Sequence, residues 1–149
     1  MLKHDLLDLA ALSLEEIEWL IDRARHYKNK SKPPLEEESH LLRGRSIGLL
    51  FEKPSTRTRV SFEAAIVKLG GHPVFLSSND LQIKRGEPIA DSARVLGSYL
   101  DGLIIRTHHH EQLEEWAHFS PVPVMNGLSN LHHPSQILAD LFSIFERRG

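Results

Sequence analysis

Ser55-Thr56-Arg57-Thr58 sets three hydroxyls around a guanidinium, and Arg59 follows one residue later. If this tetrad opens a helix, the hydroxyls, the free backbone N–H groups of the first turn and the guanidinium can all donate to one anion. The helix dipole adds to the attraction. Each hydrogen bond to a charged group contributes about 1.5–3 kcal/mol, so several together hold a phosphate without a P-loop. The plainer alternative is that Ser55 caps the helix and the arginines are solvated. Neither the P-loop pattern nor GxGxxG occurs, which removes the usual signatures of nucleoside triphosphates and dinucleotides. Arg57 and Arg59 would point about 200° apart on a helix. If Arg57 faces the anion, Arg59 is left for packing or an ion pair.

The elements needed to position such a site can be read on either side of it. Ser46–Phe51 is a short apolar run of the kind buried on both faces, and residues 57–69 have helical spacing ended by Gly70-Gly71. Further apolar runs occur at 72–76, 102–105 and 122–125, separated by helical stretches at 88–100 and 109–118 and followed by one at 135–147. An earlier helix starts at a Ser13…Glu16 capping box and fades into a polar stretch ending in Pro33-Pro34. This alternation predicts an α/β fold: a doubly wound, four-stranded parallel sheet with helices on both faces. Pro73 and Pro123 put the second and fourth runs at the sheet edges, or start them near the proline.

Composition narrows the function classes. A chain of 149 residues is one ordinary domain, and 18 basic against 20 acidic residues argue against a nucleic-acid surface or a polybasic membrane patch. Cysteine is absent, so disulfides, thiolate metal sites and a cysteine nucleophile are all removed. No apolar run approaches the roughly 18 residues of a membrane span, and no signal-peptide pattern opens the chain. The expectation is a cytoplasmic domain with no membrane or nucleic-acid partner.

In open α/β sheets, ligands bind beyond the carboxyl ends of the strands. The tetrad falls on that rim, as do the segment Ser77–Pro88, Arg106 at the end of the third run, and Asn126–Gln136 after the fourth. Arg106 taken alone reads equally well as an exposed strand-end charge. His132-His133 and His108-His109-His110 bring metals to mind. Consecutive side chains do not converge on one ion, however, and no HExxH or Cys/His spacing occurs, so no metal is expected.

Phe51-Glu52-Lys53-Pro54-Ser55-Thr56-Arg57-Thr58-Arg59-Val60-Ser61-Phe62-Glu63 resembles the carbamoyl-phosphate signature of the aspartate and ornithine carbamoyltransferases. The resemblance continues through Arg85–Asp91, Ile104–Thr107 and His132-His133-Pro134-Ser135-Gln136, spanning about residues 5–147. Phe-Glu-Lys-Pro before the tetrad and Arg-Thr after the third strand look like the ornithine branch. Family proteins are about twice as long. The resemblance therefore implies that residues 1–149 are a carbamoyl-phosphate-binding domain, without the amino-acid-binding domain and inactive in isolation.

On that resemblance Ser55, Thr56, Arg57 and Thr58 hold the phosphate, while Arg106, His133 and Thr58 act on the carbamoyl oxygen. Gln136 binds the carbamoyl NH2 through its side-chain oxygen. Pro134 and Ser135 belong to the same binding segment, and Leu128 lies near the ornithine through its backbone. The implied protein is a cofactor-free homotrimer of arginine metabolism in which Gln82, with Lys84 or Arg85, reaches a neighbour's site. Asn130 and Ser135 depart from the family's more usual Asp and Cys. The alternatives are an aspartate-specific or related transferase half, or a non-catalytic phosphate-binding module.

Overall fold

The computed structural model describes residues 4–30, 41–77 and 86–148. Within them the chain runs α1 (Leu14–Lys30), β1 (Ser46–Phe51), α2 (Thr56–Lys68), β2 (His72–Ser77), α3 (Ile89–Tyr99), β3 (Gly102–Arg106), α4 (His110–Phe119), β4 (Val124–Leu128) and α5 (Pro134–Arg148). All strand pairs are parallel, in the order β2-β1-β3-β4. The doubly wound α/β fold read from the sequence is the fold observed, and both proline-marked strands lie at its edges.

Local chemistry explains the boundaries. Ser13 and Glu16 form the reciprocal capping box of α1, with the Glu16 N–H donating to Ser13 Oγ (3.2 Å) and the Ser13 N–H to Glu16 Oε2 (2.7 Å). Gly70, at φ 81°, ends α2. Its N–H and that of Gly71 donate back to the carbonyls of Val67 and Ile66, the paired bonds of a Schellman turn.

Two apolar layers follow from the strand alternation. Leu50, Leu103, Ile105 and Val124 pack with Ala93 of α3 and Leu113, Trp116 and Ala117 of α4. Leu49, Phe51 and Ile104 pack on the opposite face with Ile66 of α2. Within α5, Leu138, Leu141 and Phe142 are half-buried, whereas Ile137, Ile144 and Phe145 of the same anticipated apolar face are exposed. Among the described residues, no helix is long and apolar enough to cross a membrane.

The fourth strand corrects the sequence reading. It runs from Val124 to Leu128, so Asn126, Gly127 and Leu128 lie in the sheet rather than in the loop beyond it. The shift has a long-range cause: Leu6 bridges Met125 in parallel, its N–H donating to Val124 O (2.9 Å) and its carbonyl accepting from the Asn126 N–H (2.8 Å). Asn126 is fully buried, and its side-chain NH2 donates to Leu7 O (2.8 Å) and His132 O (3.2 Å). One amide thus ties the segment at Leu6-Leu7 to the loop that carries His133. Asn126→Ala strands the Leu7 carbonyl, while His132 O keeps the Ser129 N–H (3.0 Å), and opens a small cavity; it is expected to lower the unfolding free energy by about 2 kcal/mol in chemical denaturation.

Candidate functional site

The strand order reverses between β1 and β3. From β1 the chain passes through α2 to β2 on one side, and from β2 it returns across the sheet to β3 on the other. The connections flanking this point cover opposite faces, leaving a crevice at the strands' carboxyl ends. A hydrogen-bonded junction joins β1 and β3 at that end. The Glu52 N–H donates to Arg106 O (2.8 Å), and Glu52 Oε2 accepts from the Thr107 hydroxyl (2.6 Å) and the His108 N–H (2.9 Å).

At the carboxyl ends lies a cleft of about 780 Å³ lined by Ser55, Thr56, Arg57, Thr58, Arg106, His133, Ser135 and Gln136, with Phe62 and Ala65 of α2 as its apolar wall. Ser55 occupies the N-cap position of α2, but its hydroxyl makes no capping bond, and the first turn has no acidic residue. Capping therefore does not account for Ser55. The positive end of a 13-residue helix faces the cleft with its hydroxyl-bearing residues.

Arg106 enters from β3. Its Nη1 makes a long contact to Thr58 Oγ1 (3.4 Å), and its Nε is buried without a hydrogen-bond partner among the described residues. Burial lowers the guanidinium pKa from its usual value. A partly desolvated cation with an unmet donor is a site that an anion completes. His133 follows the loop after β4 and lies 3.3 Å from Ser135 Oγ through Nδ1. Burial lowers its pKa first, the Arg106 charge lowers it further, and Asp140 opposes both. Gln136, in the first turn of α5, donates from Nε2 to Asp140 Oδ1 (2.9 Å).

Not every anticipated residue reaches the cleft. Leu128 and Pro134 do not line it. The Leu128 carbonyl accepts the Thr107 N–H (3.0 Å), and Pro134 is fully buried at the start of α5. Gln82, Lys84 and Arg85 lie outside the described residues. Arg59 turns away as helical geometry requires, placing its guanidinium 3.5 Å from the Phe75 ring centroid and donating to Glu63 Oε1 (2.8 Å). It borders a second cleft of about 500 Å³ together with Lys53 and Ser77.

The first histidine run divides, and its His110 ring lies 5.1 Å from that of His132. His108 and His109 are exposed, while buried His110 contacts Ser129 Oγ through Nδ1 (2.9 Å) and receives Asn130 Oδ1 on its backbone N–H (2.8 Å). Asn130 thus supplies the acceptor that the more usual Asp would. Among the described residues, no group of three or more His, Asp or Glu is placed to hold a metal ion. Sequence reasoning passed over the Glu52 junction and the Ser129 hub, whose hydroxyl also accepts the His132 N–H (3.1 Å). The only signal for either was a polar residue directly after a buried strand.

Residues 4–146 match the family model for the aspartate/ornithine carbamoyltransferase, carbamoyl-P binding domain. An ornithine carbamoyltransferase of Anoxybacillus flavithermus is 53% identical over 145 residues, 97% of this chain and 46% of that protein. One from Syntrophotalea carbinolica is 49% identical over 147 residues, 99% of this chain and 48% of its own length. The solved ornithine carbamoyltransferase of Pyrococcus furiosus superposes with a TM-score of 0.90 at 46% identity, covering 98% of this chain and 46% of that one. The chain spans about half the length of the curated relatives it matches.

The electrostatics of the cleft give a direct test. His133 should titrate by NMR below the ordinary histidine value of about 6.5, and Arg106→Met should raise its midpoint. Because its folded value lies below the unfolded one, its contribution to stability is complete above the ordinary value. That contribution is lost as pH falls through the folded value. A His133→Gln variant should show less destabilisation over that acidic interval; an unchanged profile would refute the assignment.

Proposed function

The chain belongs to the aspartate/ornithine carbamoyltransferase family, and on that premise we propose that it is the carbamoyl-phosphate-binding half of an enzyme. That enzyme transfers the carbamoyl group to the side-chain amine of ornithine, giving citrulline and phosphate. The observation that carries this reading is the meeting of Ser55, Thr56, Arg57, Thr58, Arg106, His133 and Gln136 around one cleft at the sheet's reversal point. Ornithine as acceptor rests on the names of the relatives, an acceptor site requiring residues beyond this half.

In this reading the tetrad and the α2 N-terminus hold the phosphate, and Arg106, Thr58 and His133 donate toward the carbamoyl oxygen. The amine nitrogen attacks the carbonyl carbon, negative charge grows on that oxygen, and the bond to the phosphate oxygen breaks as the amine sheds a proton. Donors already aimed at the growing charge favour the transition state over the ground state. His133, kept neutral by burial and by Arg106, donates from one ring N–H, while Arg106 supplies the permanent charge. Ser135 and Pro134 set the start of α5, from which Gln136 reaches the carbamoyl NH2. No metal or organic cofactor enters the scheme, and the setting is cytoplasmic arginine metabolism.

Assembly is part of the proposal. Gln82, with Lys84 or Arg85, is assigned to the site of a neighbouring copy in a homotrimer, each copy completing the next. Cyclic closure satisfies every such head-to-tail contact. Light scattering after size exclusion is expected to give three times the chain mass; a monomer across the micromolar range would overturn this assembly.

Calorimetry tests the site itself. Arg57→Ala is expected to weaken carbamoyl phosphate binding about ten- to a hundredfold, the equivalent of one charged hydrogen bond. Arg59→Ala, already committed to Phe75 and Glu63, is expected to change it much less. Equal or reversed losses would overturn the assignment. The 149-residue chain alone is expected to form no citrulline, because orienting the acceptor amine accounts for roughly 7–11 kcal/mol of the barrier reduction. Robust turnover by the purified chain would refute that.

A further inference from the structure

A glutamine facing a ligand can present either its oxygen or its NH2, and the two ends recognise opposite partners. In this cleft the choice is made from outside. Gln136 lines the cleft, whereas Asp140, one helical turn later on α5, does not. Between them runs a single hydrogen bond, from Gln136 Nε2 to Asp140 Oδ1 at 2.9 Å. An ionised carboxylate only accepts, so the NH2 end of Gln136 must be the end that faces it. The amide oxygen is then left on the other side, without a protein partner among the described residues. Residues four apart on a helix are neighbours, so this contact needs no tertiary support.

We propose that Asp140 is a positioning residue: by engaging the Gln136 NH2 it holds the Gln136 oxygen toward the cleft and so selects a substrate that carries an NH2 on its acyl carbon. The inference rests on the proposed function, which places the carbamoyl group beside Gln136. Without Asp140 the two amide orientations differ little in energy, and half of them would set an NH2 against the substrate's own NH2. A cation at position 140 goes further, because it can only donate and turns the amide round.

Acetyl phosphate isolates the effect, since it shares the phosphate and carbonyl and replaces the NH2 by a methyl group. Competition calorimetry at low temperature would measure both esters on the 149-residue chain and on its Asp140→Asn and Asp140→Lys variants, with circular dichroism confirming their folding. The wild-type chain is expected to prefer carbamoyl over acetyl phosphate several-fold. Asp140→Asn, which can still offer an acceptor, should keep most of that preference. Asp140→Lys should bring it to about one while binding both dianions at least as tightly as before, a pattern that general damage to the helix would not produce. An unchanged preference in Asp140→Lys, or a wild-type chain that binds both esters equally, would overturn the inference. Failure of the wild-type chain to bind either ester would instead overturn the proposed function itself.

Discussion

Glu52 is the joint on which the site depends. Its main chain extends the β1–β3 ladder by one bond, and its carboxylate then reaches across to collect the Thr107 hydroxyl and the His108 amide. Thr107 is only 1% exposed, so this acceptor serves a hydroxyl that water does not reach. Two strands that would otherwise splay at their carboxyl ends are held in register there. Arg106 leaves one of them, and the turn into α2 leaves the other. The distance between the guanidinium and the hydroxyl-bearing turn is therefore set by the backbone rather than by long side chains.

What gathers near that joint is under-satisfied by construction. Among the described residues Arg106 has a buried, unpartnered nitrogen, the Ser55 hydroxyl makes no capping bond, and α2 opens without an acidic side chain. The buried Arg106 nitrogen costs stability until an anion meets it. Together these features mean that a suitable anion binds the folded chain much better than the unfolded one, and so stabilises it by mass action. The neighbouring cleft shows the contrast: Arg59 already has an aromatic face and a carboxylate, and asks for nothing more.

The parts legible in the sequence were those fixed by local rules. Apolar period, capping box, paired glycines and prolines placed the helices and strands closely. Helical geometry alone separated Arg57 from Arg59. The parts that stayed hidden depend on partners far along the chain. The apolar run ends at Met125, so Asn126 and Gly127 fall beyond it in the sequence, yet Leu6 and Leu7 supply the hydrogen bonds that draw them into the sheet. Glu52 was visible on the rim, but nothing nearby in sequence shows that its acceptors are spent on Thr107 and His108. The resemblance implied which end of the Gln136 amide faces the ligand, but not that Asp140 bonds its nitrogen.

The bridge between Leu6 and Met125 also has a kinetic side. Asp5 and Val124, which bond beside it, are 119 residues apart, so this contact closes almost the whole chain into a loop. Closing such a loop early would be entropically steep, whereas the βαβ units between can assemble from nearer contacts and bring the ends together first. Residues 5–7 are therefore expected to dock late and to be among the first to come away. When they do, β4 is left with a bare outer edge, the kind of row of unpaired amides and carbonyls that recruits strands from other molecules. Residues 5–7, by covering that edge, keep it from pairing with other chains.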